Sequence, residues 1–198
     1  MDTLIVEGKS IEEALSIGLE KLSLTKDEID YKILENKNVV KLKIYKRSEV
    51  ERLIKEAVKD FVEKLIEKAD IVIISKGNGT YVVNIISKED AVLIGKKGKT
   101  LEAIQHIVSR IIHKYDKDIE VNVDVSGYRE KKEHLLRQKA IAFAEEVKRS
   151  GNPVIFEEMP AYLRRIIHIT LKNDKAVRTY TIGEGELKKV VIAPTSKK

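Results

Sequence analysis

Two short sets of residues in this chain have the types and the spacing needed to bind phosphate groups. The first is Gly95-Lys96-Lys97-Gly98, which is followed by Lys99. Glycine has no Cβ, so a sugar-phosphate chain can come close enough for main-chain N–H groups and the next helix N-terminus to face it. The three lysines place positive charge along the same path. The pattern predicts a loop that grips a polyanionic backbone.

The second set lies in the most basic part of the chain. Arg164 and His168 are four residues apart on a predicted helix, so both stand on one edge of it, and Arg165 is adjacent. Arginine offers a rigid fork for phosphate, and histidine adds a second donor. The spacing alone is more typical of a surface arginine beside a half-buried histidine. It gains weight because residues 126–198 carry 16 lysines and arginines against nine acids, whereas residues 1–125 are close to neutral.

The first set has a competing interpretation as the end of a P-loop. Gly98-Lys99-Thr100 matches the last part of G-x-x-x-x-G-K-[ST], but Leu93 occupies the place of the first glycine. The preceding Ser87-Lys88-Glu89-Asp90 also has the pattern of a helix start instead of a strand. We therefore expect no nucleotide site here. A plain corner between two helices, with solvated lysines, stays open as the alternative.

Composition argues against several other classes of protein. The chain has no cysteine, which removes disulfides, thiolate catalysis and cysteine-based metal sites. No apolar run approaches the roughly 18 residues of a membrane span, and the N-terminus lacks a signal-peptide pattern, so we expect a cytoplasmic protein without membrane insertion. The four histidines are scattered, and no paired acids have metal or catalytic spacing. We expect no metal, no cofactor and no enzymatic activity.

Three modules are predicted around these residues, and together they indicate the α+β class. Residues 1–48 form a β-α-β-β module, with strands at 3–8, 31–35 and 39–45 and a capping box that starts a helix at Ser10.

The second module, residues 51–126, has the order α-β-β-α-α-β. Its helix covers 51–68, its hairpin turns at Gly77-Asn78-Gly79, and its last strand covers 119–125. The third module, residues 127–194, combines a helix at 128–149, a strand at 154–156, a helix from Pro160 to about 172 and a closing hairpin. The hairpin strands are predicted at 178–182 and 188–193.

The second module resembles a type II KH domain, whose GXXG loop clamps about four nucleotides of single strand. The segment Arg164-Arg165-Ile166-Ile167-His168 resembles the signature of the R-three-H domain. Over essentially its whole length the chain resembles the bacterial Jag family, also called KhpB or EloR.

This resemblance implies a cytoplasmic single-stranded RNA-binding protein that regulates gene expression after transcription and is linked to cell elongation or division. Single-stranded DNA is a second candidate ligand. The implied protein partner is a small KH-domain protein or a second copy of the chain. The implied nucleic-acid contacts are Gly95, Lys96, Lys97, Gly98, Lys99, Arg164, Arg165 and His168.

One departure from the family concerns the junction between the first two modules. Many members carry a long charged linker there, sometimes with a phosphorylation site, whereas here residues 46–50 lead straight into a helix. We therefore do not expect control by a phosphorylated linker. The alternative function is a scaffold in which the KH module binds other proteins and hardly contacts RNA.

Overall fold

A computed structural model describes residues 3–195. The chain divides into two compact units, the first ending at Gly127 and the second beginning at Tyr128. The element order confirms the α+β class and the predicted order of helices and strands. Each unit is described by itself.

The first unit opens with a three-stranded antiparallel sheet covered on one face by a helix. The strands are β1 (Thr3–Gly8), β2 (Ile29–Asn36) and β3 (Val40–Lys46), in the order β1-β3-β2. Helix α1 (Ile11–Leu22) begins after Ser10, whose side chain accepts a hydrogen bond from the Glu13 N–H, as the capping pattern predicts. The buried cluster between helix and sheet comprises Val6, Ala14, Leu15, Ile29, Val40, Leu42 and Ile44.

A second sheet in the same unit carries the glycine-lysine loop. Helix α2 (Arg47–Val62) leads to the hairpin of β4 (Asp70–Gly77) and β5 (Thr80–Ile86), which turns through Asn78 in the left-handed region. The short α3 (Asp90–Ile94), the loop and α4 (Lys99–His113) follow, and β6 (Glu120–Val125) then pairs with β5 in parallel. Four residues at helical spacing, Leu101, Ile104, Val108 and Ile112, bury one face of α4.

Contacts between charged side chains join the first sheet to the second. Lys43 on β3 lies between Asp116 and Asp118, and Lys32 on β2 contacts Glu120 at 3.1 Å. These carboxylates lie at or just before the start of β6. The end of β5, which leads into α3 and the loop, lies at the opposite end of this sheet. The first two predicted modules therefore pack together within one unit, with the loop at the far end.

The second unit is a three-stranded antiparallel sheet with two helices on one face. Helix α5 (Tyr128–Ser150) precedes β7 (Val154–Ile155), α6 (Ala161–Leu171), β8 (Val177–Ile182) and β9 (Lys189–Pro194), and the strand order is β7-β9-β8. Alternate residues of β8 and β9, such as Val177 and Ile192, join the helix stripes in the core. The ring of Phe156 belongs to this core, and the Phe143 ring packs against it with the two ring centroids 5.0 Å apart.

Some predicted boundaries were wrong. The α2 helix begins at Arg47 and ends at Val62, whereas 51–68 was predicted. Both Leu65 and Ile66 donate to the Val62 carbonyl, which ends the helix in tighter turns, yet Ile66 stays buried and so continues the apolar pattern. Ser87 does not cap α3, because Glu89 is the capping residue and the Ser87 N–H is bonded to the Asp90 carboxylate. A 3-10 turn at Lys26–Glu28 was not predicted. The predicted tail at 195–198 lies outside the described residues after Thr195.

Candidate nucleic-acid interface

The loop between α3 and α4 has three residues whose backbone angles only certain residue types adopt easily. Gly95 has φ +68°, Lys97 has φ +59° and Gly98 has φ +91°, so all three lie at positive φ. Glycine adopts such angles without a steric penalty, whereas a lysine does so uncommonly. The result is a tight turn that holds the lysine backbone out between two glycines.

Gly95 is required by a close neighbour as well as by its backbone angle. A Cβ built on it would lie 2.0 Å from the Thr100 Oγ1 and 2.8 Å from the Thr100 Cβ. Neither atom is the far end of a flexible chain, so α4 itself would have to move. The first glycine of the motif therefore lets the first turn of α4 fold back against the loop.

The loop uses part of its own main-chain hydrogen-bonding capacity. The Gly95 N–H donates to the Ala91 carbonyl at 2.9 Å, and the Gly98 N–H donates to the Gly95 carbonyl at 3.2 Å. These two amides are therefore not directed at a ligand, contrary to the simplest expectation for a phosphate-binding loop. The side chains of Lys96, Lys97 and Lys99 are exposed and supply the positive charge.

Arg164 of the second set is partly engaged within its own unit. Its Nη1 donates to the Met159 carbonyl at 2.7 Å and to the Glu186 carbonyl at 3.2 Å. The guanidinium therefore ties the start of α6 to the loop between β8 and β9. Its edge position on the helix agrees with the sequence, but this bracing role was not foreseen.

His168 also has partners inside the unit. Its Nδ1 lies 2.7 Å from the Thr179 hydroxyl, and its Nε2 lies 3.1 Å from the Thr181 hydroxyl. Partial burial, together with the positive charge of Arg164, lowers the pKa of His168 below its usual value, which favours the neutral imidazole. Thr179 and Thr181 were missed. They lie two and four residues after the buried Val177, so all three share the face of β8 that meets the helices.

The outward face of α6 presents residues that have no place in the core. Arg165 is exposed, and Tyr162 and Ile169, three residues before it and four after it, are 47% and 56% exposed. This spacing puts all three on one face of the helix. A cation beside an accessible aromatic ring suits both a phosphate and a stacked base.

Two further properties of the described residues bear on this interface. No helix within residues 3–195 is both long and apolar enough to cross a bilayer. Within the same residues, no three histidine, aspartate or glutamate side chains are grouped in a way that could hold a metal ion.

A GXXG loop between two helices on one three-stranded sheet, and an Arg-x-x-x-His helix on another, define the class of proteins that combine KH and R-three-H domains. Family models agree with this class along the chain. The model of the Jag N-terminus matches residues 6–39, the KH domain model of KhpA and KhpB matches 55–125, and the R-three-H domain model matches 134–194.

Relatives extend the similarity to nearly the whole chain. The chain is 33% identical to the RNA-binding protein KhpB of Clostridium symbiosum, over 98% of this chain and 92% of the relative. It is 30% identical to the RNA-binding protein KhpB of Bacillus subtilis, over 98% of this chain and 99% of the relative. The chain belongs to the KhpB family, which is the Jag family predicted from its motifs.

Proposed function

We propose that this protein binds single-stranded RNA in the cytoplasm and acts as a post-transcriptional regulator linked to cell elongation or division, without catalytic activity. The observation that carries the proposal is the loop, in which two glycines at positive φ hold Lys96 and Lys97 exposed at the start of α4. The names of the KhpB relatives support RNA as the ligand. In this proposal the KH module, residues 51–126, is the main clamp.

The R-three-H module, residues 127–194, adds a second contact in this proposal. Arg165 contacts phosphate directly and Tyr162 stacks on a base. Arg164 and His168 stabilise this surface through their bonds to Glu186 and to the β8 threonines. The remaining N–H groups of the Arg164 guanidinium donate to the ligand. Such contacts depend on charge and on stacking, so they vary little with sequence.

The test replaces Lys96 and Lys97 by aspartate. The matched control makes the same charge change at Lys114 and Lys117. These control residues are exposed and lie at and beyond the other end of α4. Binding of a fluorescently labelled single-stranded RNA is measured by anisotropy over a series of salt concentrations. Losing two phosphate contacts should lower the slope of log affinity against log salt by about 1.4, at roughly 0.7 per contact.

We expect the loop variant to bind at least about tenfold more weakly, and the control variant to bind nearly as the wild type. Circular dichroism establishes that both variants are folded. Equal affinity of wild type and loop variant would show that the loop is not the clamp.

A protein-binding scaffold is the second candidate function, and one observation favours it. The face of the β4-β5 hairpin that points away from α4 carries Val72, Ile74 and Ile86, which are 42%, 47% and 44% exposed. A group of exposed apolar residues on a sheet is typical of a protein interface. A small KH-domain protein, or a second copy of this chain, would be the partner. Loss of partner binding in a Val72→Lys variant that still binds RNA would assign this face to the scaffold role.

A further inference from the structure

Strand β6 is the edge of its sheet, since the order is β4-β5-β6 and, among residues 3–195, only β5 pairs with it. Successive residues of a strand direct their backbone groups to opposite sides. The Glu120 N–H donates to the Gly79 carbonyl beside β5, so Val121 and Val123 direct their backbone groups away from β5. Strand edges need partners or protection, and at this edge Val121 and Val123 are only 4% and 0% exposed, so it is covered.

The side chain of Gln105 on α4 meets both of these groups. Its Nε2 donates to the Val121 carbonyl at 2.6 Å, and its Oε1 accepts from the Val123 N–H at 2.7 Å. Its Nε2 also lies 2.9 Å from the Ser109 hydroxyl, one turn along the helix. The carboxamide therefore stands where a neighbouring strand would, with both of its polar atoms used.

The bonds of Gln105 fix the position of α4 along β6, which apolar packing alone does not fix. Apolar contacts between α4 and the sheet are non-directional, so they set the distance of the helix better than its position along the strand. The paired bonds of Gln105 are directional, and a shift of α4 by one residue would break both. Gly98 is the residue that caps α4, so the loop moves with the helix. Gln105 is seven residues farther on, about 10 Å along the axis.

We propose that Gln105 is a positioning residue for the RNA clamp: by fastening α4 to the edge of β6 that faces away from β5, it holds the Gly95–Gly98 loop in its binding geometry. This inference rests on the proposed function of the loop. It assigns Gln105 no contact with RNA. Its replacement should therefore weaken binding without removing a phosphate contact.

The test compares Gln105→Leu with Gln138→Leu in the full chain. Gln138 lies exposed on α5, where its Nε2 lies 3.0 Å from the His134 Nε2, so it is the matched control. Amide exchange at Val123 is measured by NMR, and affinity for a labelled single-stranded RNA is measured over a salt series. Gln105→Asn, whose side chain is shorter, is the second variant in case the leucine variant does not fold.

We expect Val123 to exchange roughly threefold to tenfold faster in the Gln105 variants, as the loss of one hydrogen bond predicts. RNA affinity should fall by about fivefold with an unchanged salt slope, because misplacing a binding group weakens it without changing the number of charges. The Gln138 variant should match the wild type in all three measurements.

Three results have separate meanings. If the wild type binds RNA and the loop-lysine variant flattens the salt slope, but Gln105→Leu binds RNA like the wild type, only the positioning role of Gln105 is overturned. If the wild type binds no RNA, or if the lysine variant keeps the full slope, the proposed function itself fails, and the positioning role fails with it. Unchanged exchange at Val123 would also overturn the positioning role, whatever the RNA measurements show.

Discussion

Replacing Lys43 by methionine should destabilise the first unit far more than the same change at Lys41, two residues away on the same face of β3. The Lys43 side chain is 17% exposed and contacts two carboxylates, of which Asp116 is 5% exposed. Burial works against the charge of Lys43, but hydrogen bonds to Asp116 and Asp118 outweigh it, so the pKa of Lys43 is raised. Lys43 therefore stays charged in the folded protein beside these two carboxylates.

The expected loss follows from what remains after the change. Removing one partner of a buried ion pair typically costs about 3–5 kcal/mol, because the other charge stays buried. Asp118 is 39% exposed and can be rehydrated, which reduces the expected loss to about 2–3 kcal/mol. Lys41 pairs with Glu7 at the surface, with side chains 38% and 60% exposed, so its loss should be below about 1 kcal/mol.

Urea unfolding of the full chain, followed by NMR signals assigned to the first unit, measures both variants. Adding Asp116→Asn to the Lys43 variant should restore part of the stability, because it removes the unpaired charge. A Lys43→Met loss no larger than that of Lys41→Met would refute the view that this ion pair fastens the first sheet to the second.

Three further predictions concern the interface. Gly95→Ala should lower both thermal stability and RNA affinity. The φ of +68° and ψ of −176° at Gly95 cost a residue with a Cβ about 1–3 kcal/mol, and the new Cβ meets Thr100. Calorimetry with anisotropy would detect both losses. Arg165→Ala should lower the RNA salt slope by about 0.7 without changing stability, whereas Arg164→Ala should also lower the unfolding midpoint, since it removes two bonds to carbonyls. Because the pKa of His168 is lowered in the fold, its contribution to stability should be complete above about pH 6.5 and should decrease as the pH falls below that value. Unfolding of a His168→Gln variant, compared with the wild type at pH 7 and pH 5, should lack this part of the pH dependence.

Local signals in the sequence were sufficient for most elements. The turn at Asn78, the capping serine of α1 and the stripe of α4 each depend on residues close together in the chain, so their patterns could be interpreted directly. The end of α2 could not be predicted, because Ile66 keeps the helical pattern of burial after the helix has ended.

The parts of the site that were missed depend on tertiary structure. The spacing of Arg164 and His168 places them on one edge of α6, but their partners come from Met159, Glu186 and β8, and only the folded sheet brings these together. Gln105 reaches β6 because that strand is at the edge, which follows from strand order instead of from any local pattern. The ion pair of Lys43 and Asp116 likewise joins distant parts of the chain.

The direct passage from β3 into α2 has a consequence for anything that binds the first sheet. Lys46 ends the strand and Arg47 begins the helix, so there is no tether between the sheet and the KH module. A flexible tether would let a bound partner sample a large volume around the Gly95–Gly98 loop, with only its local concentration raised. Here a partner bound to the first sheet would instead be held at a fixed distance and in a fixed orientation relative to Gly95–Gly98. The protein would act as a spacer of set length between that partner and the RNA.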